Sequence, residues 1–154
     1  MLEIIEALLD KDIGIIRELF EEYASSLNFN LCFQNFDEEL KNLPGEYASP
    51  SGSLLLALYE GSPAGCAGLR KISDNICEMK RLYVRDNFRG NQIGKALAKR
   101  IIANAKNAGY KKMRLDTVPS MLAAQRLYKS LGFHEISSYR LNPIEGAIYM
   151  ELNL

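Results

Sequence analysis

Most of the chemically capable side chains fall in one stretch. Ile76-Cys77-Glu78-Met79-Lys80-Arg81-Leu82-Tyr83-Val84 reads as a strand, and Arg89-Gly90-Asn91-Gln92-Ile93-Gly94-Lys95 follows as a glycine-containing loop that runs into a helix. Such a loop leaves backbone N–H groups free at a helix N-terminus, where they and the helix dipole favour phosphate oxygens. Arg89 and Lys95 would add charge-assisted bonds to the same anion. A plain tight turn carries the same glycines, and the spacing is neither that of a dinucleotide-binding fingerprint nor that of a Walker loop. In the strand, Glu78, Lys80 and Arg81 interrupt an apolar run, which a central strand rarely tolerates. An edge strand protected by charge would account for them. A carboxylate set beside a phosphate loop would also do so, and makes Glu78 a candidate base. Two-residue alternation places Glu78, Lys80 and Leu82 on one face and Met79, Arg81 and Tyr83 on the other. Cys77 falls opposite Glu78 and reads as a buried thiol.

The charge pattern narrows the ligand. Lysines and arginines balance aspartates and glutamates at 19 each, but residues 1–69 carry 3 basic and 12 acidic side chains while residues 70–114 carry 13 and 3. A basic middle third suggests a polyanionic ligand, and solvated helix faces and strand edges are the alternative reading. The basic block lacks the interleaved aromatics of single-strand binders and any zinc-finger or basic-zipper pattern. A phosphorylated cofactor is therefore expected, and no nucleic acid. No run of about 18 apolar residues is present, and Glu3 and Glu6 stand where a secretory signal needs positive charge. The expectation is a cytoplasmic protein that does not enter a membrane. Cys32, Cys66 and Cys77 are odd in number with no CxxC pair, and His134 is the only histidine, so reduced thiols and no metal are expected.

These residues need a scaffold. At 154 residues the chain suits one domain spanning 1–154, a size that hides roughly 70% of the unfolded surface. Leu2 to Leu8 reads as a strand, and Asp10 or Asp12 can cap a helix with Ile13, Ile16, Phe20, Tyr23 and Leu27 along its apolar face. Asp37 to Leu43 forms a short helix, broken by Pro44-Gly45. Ser53 to Tyr59 and Ala64 to Ile72 flank turn residues as a hairpin, and Ile76 to Val84 follows. The next helix carries Ile93, Leu97, Ile101 and Ala105 on one face and stops at Gly109. Lys111 to Val118 is strand-like, Ser120 to Leu131 helical with Gly132 as its stop, and short strands lie near Glu135 to Leu141 and Ala147 to Leu152. The class is α/β: one mixed, mainly antiparallel twisted sheet with helices on both faces.

Val84, the loop Arg89-Gly90-x-x-x-Gly94 and the later Leu127-Tyr128-Lys129-Ser130-Leu131-Gly132-Phe133 resemble, in order and spacing, the GNAT superfamily of N-acetyltransferases. The resemblance implies a GNAT fold with acetyl coenzyme A bound where two parallel strands, those of Leu82 and Leu115, splay apart. It implies that the backbone of Arg89, Gly90, Asn91, Gln92, Ile93, Gly94 and Lys95 holds the pyrophosphate, and that the main chain of Leu82, Tyr83 and Val84 holds the pantetheine arm. Gln92 departs from the usual glycine, and Met121 from a frequent asparagine. The resemblance also implies that Glu78 acts through water as general base and that Tyr128 protonates the departing thiolate. A lysine-like amine has a pKa near 10.4, so only about one molecule in a thousand is neutral and able to attack at pH 7. Direct transfer from cofactor to amine then needs no covalent intermediate.

Leu27 to Tyr47 and the hairpin should build the acceptor pocket, since the cofactor takes the central gap. Arg70, Lys80 and Arg81 suit the carboxylate of an amino-acid-like small molecule, whereas the acidic first third suits a polyamine or a peptide lysine. Both acceptor classes stay open, and the resemblance admits a homodimer. A non-catalytic module that binds or senses coenzyme A is the alternative, supported by Gln92 and Met121.

Overall fold

The computed structural model describes residues 1–27, 35–140 and 142–154. Its strands are β1 (Leu2–Glu6), β2 (Ser53–Tyr59), β3 (Ser62–Lys71), β4 (Ile76–Val84), β5 (Lys112–Thr117), β6 (His134–Ile136) and β7 (Ile148–Asn153). Its helices are α1 (Asp10–Ser26), α2 (Phe36–Lys41), α3 (Ile93–Asn107) and α4 (Leu122–Ser130). The strands form one sheet in the order β1-β2-β3-β4-β5-β7-β6, in which β4 and β5 pair parallel and every other neighbour antiparallel.

Alternation along β2 builds the two faces. Leu55 and Ala57 join Ile93, Leu97 and Ile101 of α3 in one core cluster, while Leu54 and Leu56 join Ile16, Leu19 and Phe20 of α1 in the other. The β2–β3 turn is tight because Glu60 and Gly61 both take positive φ, 50° and 80°, the handedness that matches strand twist. At α1 the expected aspartate cap is replaced: Leu9 is the N-cap, with no side-chain cap bond, and Asp10 and Asp12 lie in the first turn. There their negative charge complements the helix dipole.

Two features of β4 position the site. First, β4 is central, so its charges do not mark an edge strand. Second, Arg81 has φ 60°, and the register against β3 shifts between Cys66 and Gly68, so that two residues on β4 oppose one on β3. Such a bulge reverses alternation beyond it. Leu82 therefore packs with the cluster that holds Cys77 and Met79, while Tyr83 packs on the α1 side, the opposite of the placement that simple alternation predicts. The parallel pairing with β5 covers only Ile76–Glu78 against Lys112–Arg114. Past Glu78 the strands part, and the facing edge of β4 has no strand partner among the described residues.

Candidate active site

The gap opened by this splay is closed at its base by a cavity of about 60 Å³, with Lys80, Arg81 and Leu82 on one wall, Asp116 and Thr117 on the other, and Tyr128 reaching in from α4. Leu82 and Tyr128 thus come together as expected. Tyr128 is 8% exposed and lies against the Phe133 ring at 5.7 Å between centroids. Burial, with lesser contributions from Tyr23 and Asp116, pushes its hydroxyl pKa well up, so it keeps its proton.

The loop lies at the other end of the gap. Gly90 and Gln92 take positive φ, 88° and 62°, and Gln92 is the N-cap of α3. The amides of Gly90 to Lys95 find no acceptor among the described residues; the first that does is Ala96, which donates to Gln92 O at 3.0 Å. Consecutive undonated amides at a helix N-terminus form an anion cradle. Arg89 and Lys95 are exposed beside it, and Arg89 pairs with Asp86 at 3.0 Å. A Cβ on Gly94 would lie 3.7 Å from Val84 Cγ2 and 3.8 Å from Leu127 Cδ2, so loop, strand end and α4 converge there. The Asn91 side chain shapes the loop by donating to Phe88 O at 2.8 Å. The undonated amides fit the phosphates of a polyanionic cofactor, and the β4 edge from Leu82 to Val84 that faces β5 runs toward them.

Glu78 sits apart from that cavity's lining. It is 1% exposed and accepts bonds from Arg70 Nε at 2.8 Å and Tyr139 Oη at 2.6 Å, with a further close ion pair to Arg140. Burial alone would raise its carboxyl, but the charges of Lys80, Arg70 and Arg140 and the Tyr139 bond hold it below the ordinary carboxylate range. The two guanidinium groups border a cleft that also includes Glu46, Tyr47 and residues of α2. This is the described part of the region expected to build the acceptor pocket; residues 28–34 of that expectation lie outside the described residues.

Three further groups belong to the site. Lys80 is 5% exposed; burial above all, then the Arg81 charge, lowers its pKa to about 7 against the opposing pull of Glu78. Arg81 makes a two-pronged pair with Glu39 of α2, both bonds at 2.9 Å, and stacks over Phe36 at 5.2 Å, which fastens α2 to the bulge. The Tyr47 hydroxyl is buried with no hydrogen-bond partner of good geometry among the described residues, and burial above all, with the nearby Glu39 carboxylate adding to it, pushes its pKa well up. Tyr139 and Arg140 also reach Glu78; they come from the segment between β6 and β7 and carry no local signal in the sequence. Cys77 is buried with its thiol pushed up to about 12 by burial, and His134 is exposed on β6.

Comparison with known proteins agrees with this geometry. The profile of the acetyltransferase (GNAT) family matches residues 15–133. An uncharacterized N-acetyltransferase of Schizosaccharomyces pombe is 40% identical over 148 residues, 95% of this chain and 91% of that protein. N-acetylaspartate synthetase of Danio rerio is 34% identical over 100 residues, 64% of this chain and 36% of that protein. Among solved structures, the PaiA N-acetyltransferase of Thermoplasma acidophilum, in complex with coenzyme A, superposes with a TM-score of 0.76 at 17% identity, over 100% of this chain and 99% of that one. By class, then, the protein is an acyltransferase. The chain belongs to the GNAT family of acetyltransferases. No helix among the described residues is long and apolar enough to cross a membrane.

Proposed function

We propose that this enzyme transfers the acetyl group of acetyl coenzyme A directly to the primary amine of a small, amino-acid-like acceptor that carries a carboxylate. The observation that carries the reading is the parted β4–β5 pair, with the open amides of Gly90 to Lys95 beside the end of β4; a second cleft is bordered by Arg70 and Arg140, both bonded to Glu78 of the same strand. Pyrophosphate rests on the amides and beside Arg89 and Lys95, and the pantetheine arm lies along Leu82 to Val84. Tyr128 gives its proton to the departing sulfur. When bound, the cofactor supplies an activated thioester; the chain supplies placement, and holding two reactants at attack distance is worth several kcal/mol.

The acceptor's carboxylate meets Arg70 and Arg140, whose guanidinium groups Glu78 holds in place. A relative named N-acetylaspartate synthetase supports a carboxylate-bearing amine over a polyamine. The base role suggested by the position of Glu78 on its strand requires a water between it and the amine, and its ion pairs weaken it for that purpose. Initial rates of thiol release with acetyl coenzyme A and a panel of amines test the reading. Amino acids should exceed their decarboxylated amines in kcat/KM by at least about tenfold, since an unpaired charge in a built site costs more than 1.4 kcal/mol. Equal or better turnover of the bare amines would overturn it.

A further inference from the structure

Lys80 borders the cavity at the base of the parted strands. It is the last β4 residue before the bulge at Arg81, it is 5% exposed, and it lines the cavity together with Leu82 and Tyr128, on the wall facing Asp116. Glu78, two residues earlier, is not part of that lining and is bonded to Arg70, Tyr139 and Arg140. We propose that the Lys80 amine is the general base that takes the proton of the acceptor's ammonium. This rests on the acetyl-transfer reading above and assigns it a residue.

Among the described residues, Arg81 and Glu78 of β4, Arg70 of β3 and Asp116 of β5 act on the charge of Lys80, and Tyr23 of α1 and Tyr128 of α4 share its cavity. Burial and the Arg81 charge disfavour the ammonium form, so about half of Lys80 is neutral near pH 7. A base is most effective with a pKa near the working pH. Asp116, half-buried and accepting from Asn142 Nδ2 at 3.3 Å, is an anion placed to draw the acceptor's ammonium toward Lys80.

The steps balance. The acceptor's ammonium gives one proton to Lys80 Nζ, and the freed nitrogen lone pair forms a bond to the thioester carbonyl carbon. The C–S bond breaks with its electron pair going to sulfur, which takes the Tyr128 proton. The second proton of the new amide nitrogen restores Tyr128, and Lys80 releases its proton to solvent. Ammonium and thioester become amide, thiol and one proton.

Two measurements test this. In the wild-type enzyme, kcat/KM should rise with pH through about 7 and then level off. Lys80→Arg keeps a permanent cation and should lose about 10²-fold or more at the plateau, together with that rising limb, while acetyl coenzyme A Kd stays within about threefold. Lys80→Gln should behave alike. Either variant within about threefold of wild type, with the limb intact, would overturn the proposal. The second measurement needs no turnover and no variant: the ¹³Cε shift of Lys80, assigned in the wild-type protein, should titrate near pH 7, and titration near 10 would overturn Lys80 as base whatever the assays give. Failure of every amine to be acetylated, with Lys80 titrating near 7, would instead count against the acetyl-transfer reading.

Discussion

At the residue scale, two side chains separate chemistry from architecture. Burial keeps the Tyr128 hydroxyl protonated, and its ring packs on Phe133, so Tyr128→Phe removes the donor while keeping the packing. Steady-state thiol-release kinetics should show kcat down by about 10²-fold with KM for acetyl coenzyme A within about threefold. A loss confined to KM would make the hydroxyl a binding contact only. Glu78 predicts differently, because it is bonded to both Arg70 and Arg140. Its folded pKa lies below the ordinary value of 4.5, so it adds stability that is fully present above 4.5 and lost as pH falls through the folded value. Removing one partner of a buried ion pair costs about 3–5 kcal/mol. Glu78→Gln should therefore melt well below wild type at neutral pH, and the difference should shrink on acidification below 4.5. A difference in melting temperature that ignores pH would mean that hydrogen bonding, not charge, holds the cluster. In the same variant, kcat/KM should fall mainly through the acceptor's KM if Glu78 positions the arginines.

At the scale of elements, the turn into α3 carries a testable strain. Gln92 sits at φ 62°, ψ 19°, a left-handed conformation that costs a side-chain-bearing residue about 1 kcal/mol or more relative to glycine. This gives a physical reason for the glycine usual in the family at that place. Gln92→Gly should raise the melting temperature by about 2–4 °C and leave acetyl coenzyme A affinity equal or higher, as read by thermal shift and calorimetry; a lower melting temperature would show that the glutamine side chain has packing worth keeping. The same conformation marks what was legible in the sequence. Strands β2 to β4 and helix α3 were readable because their apolar periodicity and turn residues are local signals, and the loop and Tyr128 because their spacing matched a family. The bulge was not, since an arginine at positive φ announces nothing, and its consequence was that Leu82 and Tyr83 exchanged faces. Nor were Tyr139, Arg140 and the lowered basicity of Lys80 legible: each depends on residues brought together from β3, β4, β5 and the segment before β7. The charges read as unusual for a central strand were correctly noticed, and the network that satisfies them is a tertiary property.

At the scale of the whole molecule, the sheet has one narrow seam. Among the described residues, strands β1 to β4 on one side and β5 to β7 on the other are joined along the sheet only by Ile76–Glu78 against Lys112–Arg114, and beyond that the gap separates them. The proposed cofactor position touches both sides: the β4 edge and the α3 turn on one, Tyr128 of α4 on the other. A ligand that binds only the folded state at about 100 times its Kd adds roughly 2.7 kcal/mol, which for a chain of this size is several degrees of melting temperature. Because the seam is short, that energy should be shared by the two sides rather than confined to the loop. Hydrogen exchange with and without acetyl coenzyme A should therefore slow amides at Gly90–Lys95, along β4 past Glu78, and in β5 and α4 together. Slowing restricted to the α3 turn, with coenzyme A and a simple adenosine bisphosphate giving the same pattern, would mean that the phosphates bind while the arm stays outside the gap. Slowing across the seam by acetyl coenzyme A and not by the bisphosphate is the outcome expected of an arm that enters the gap between β4 and β5.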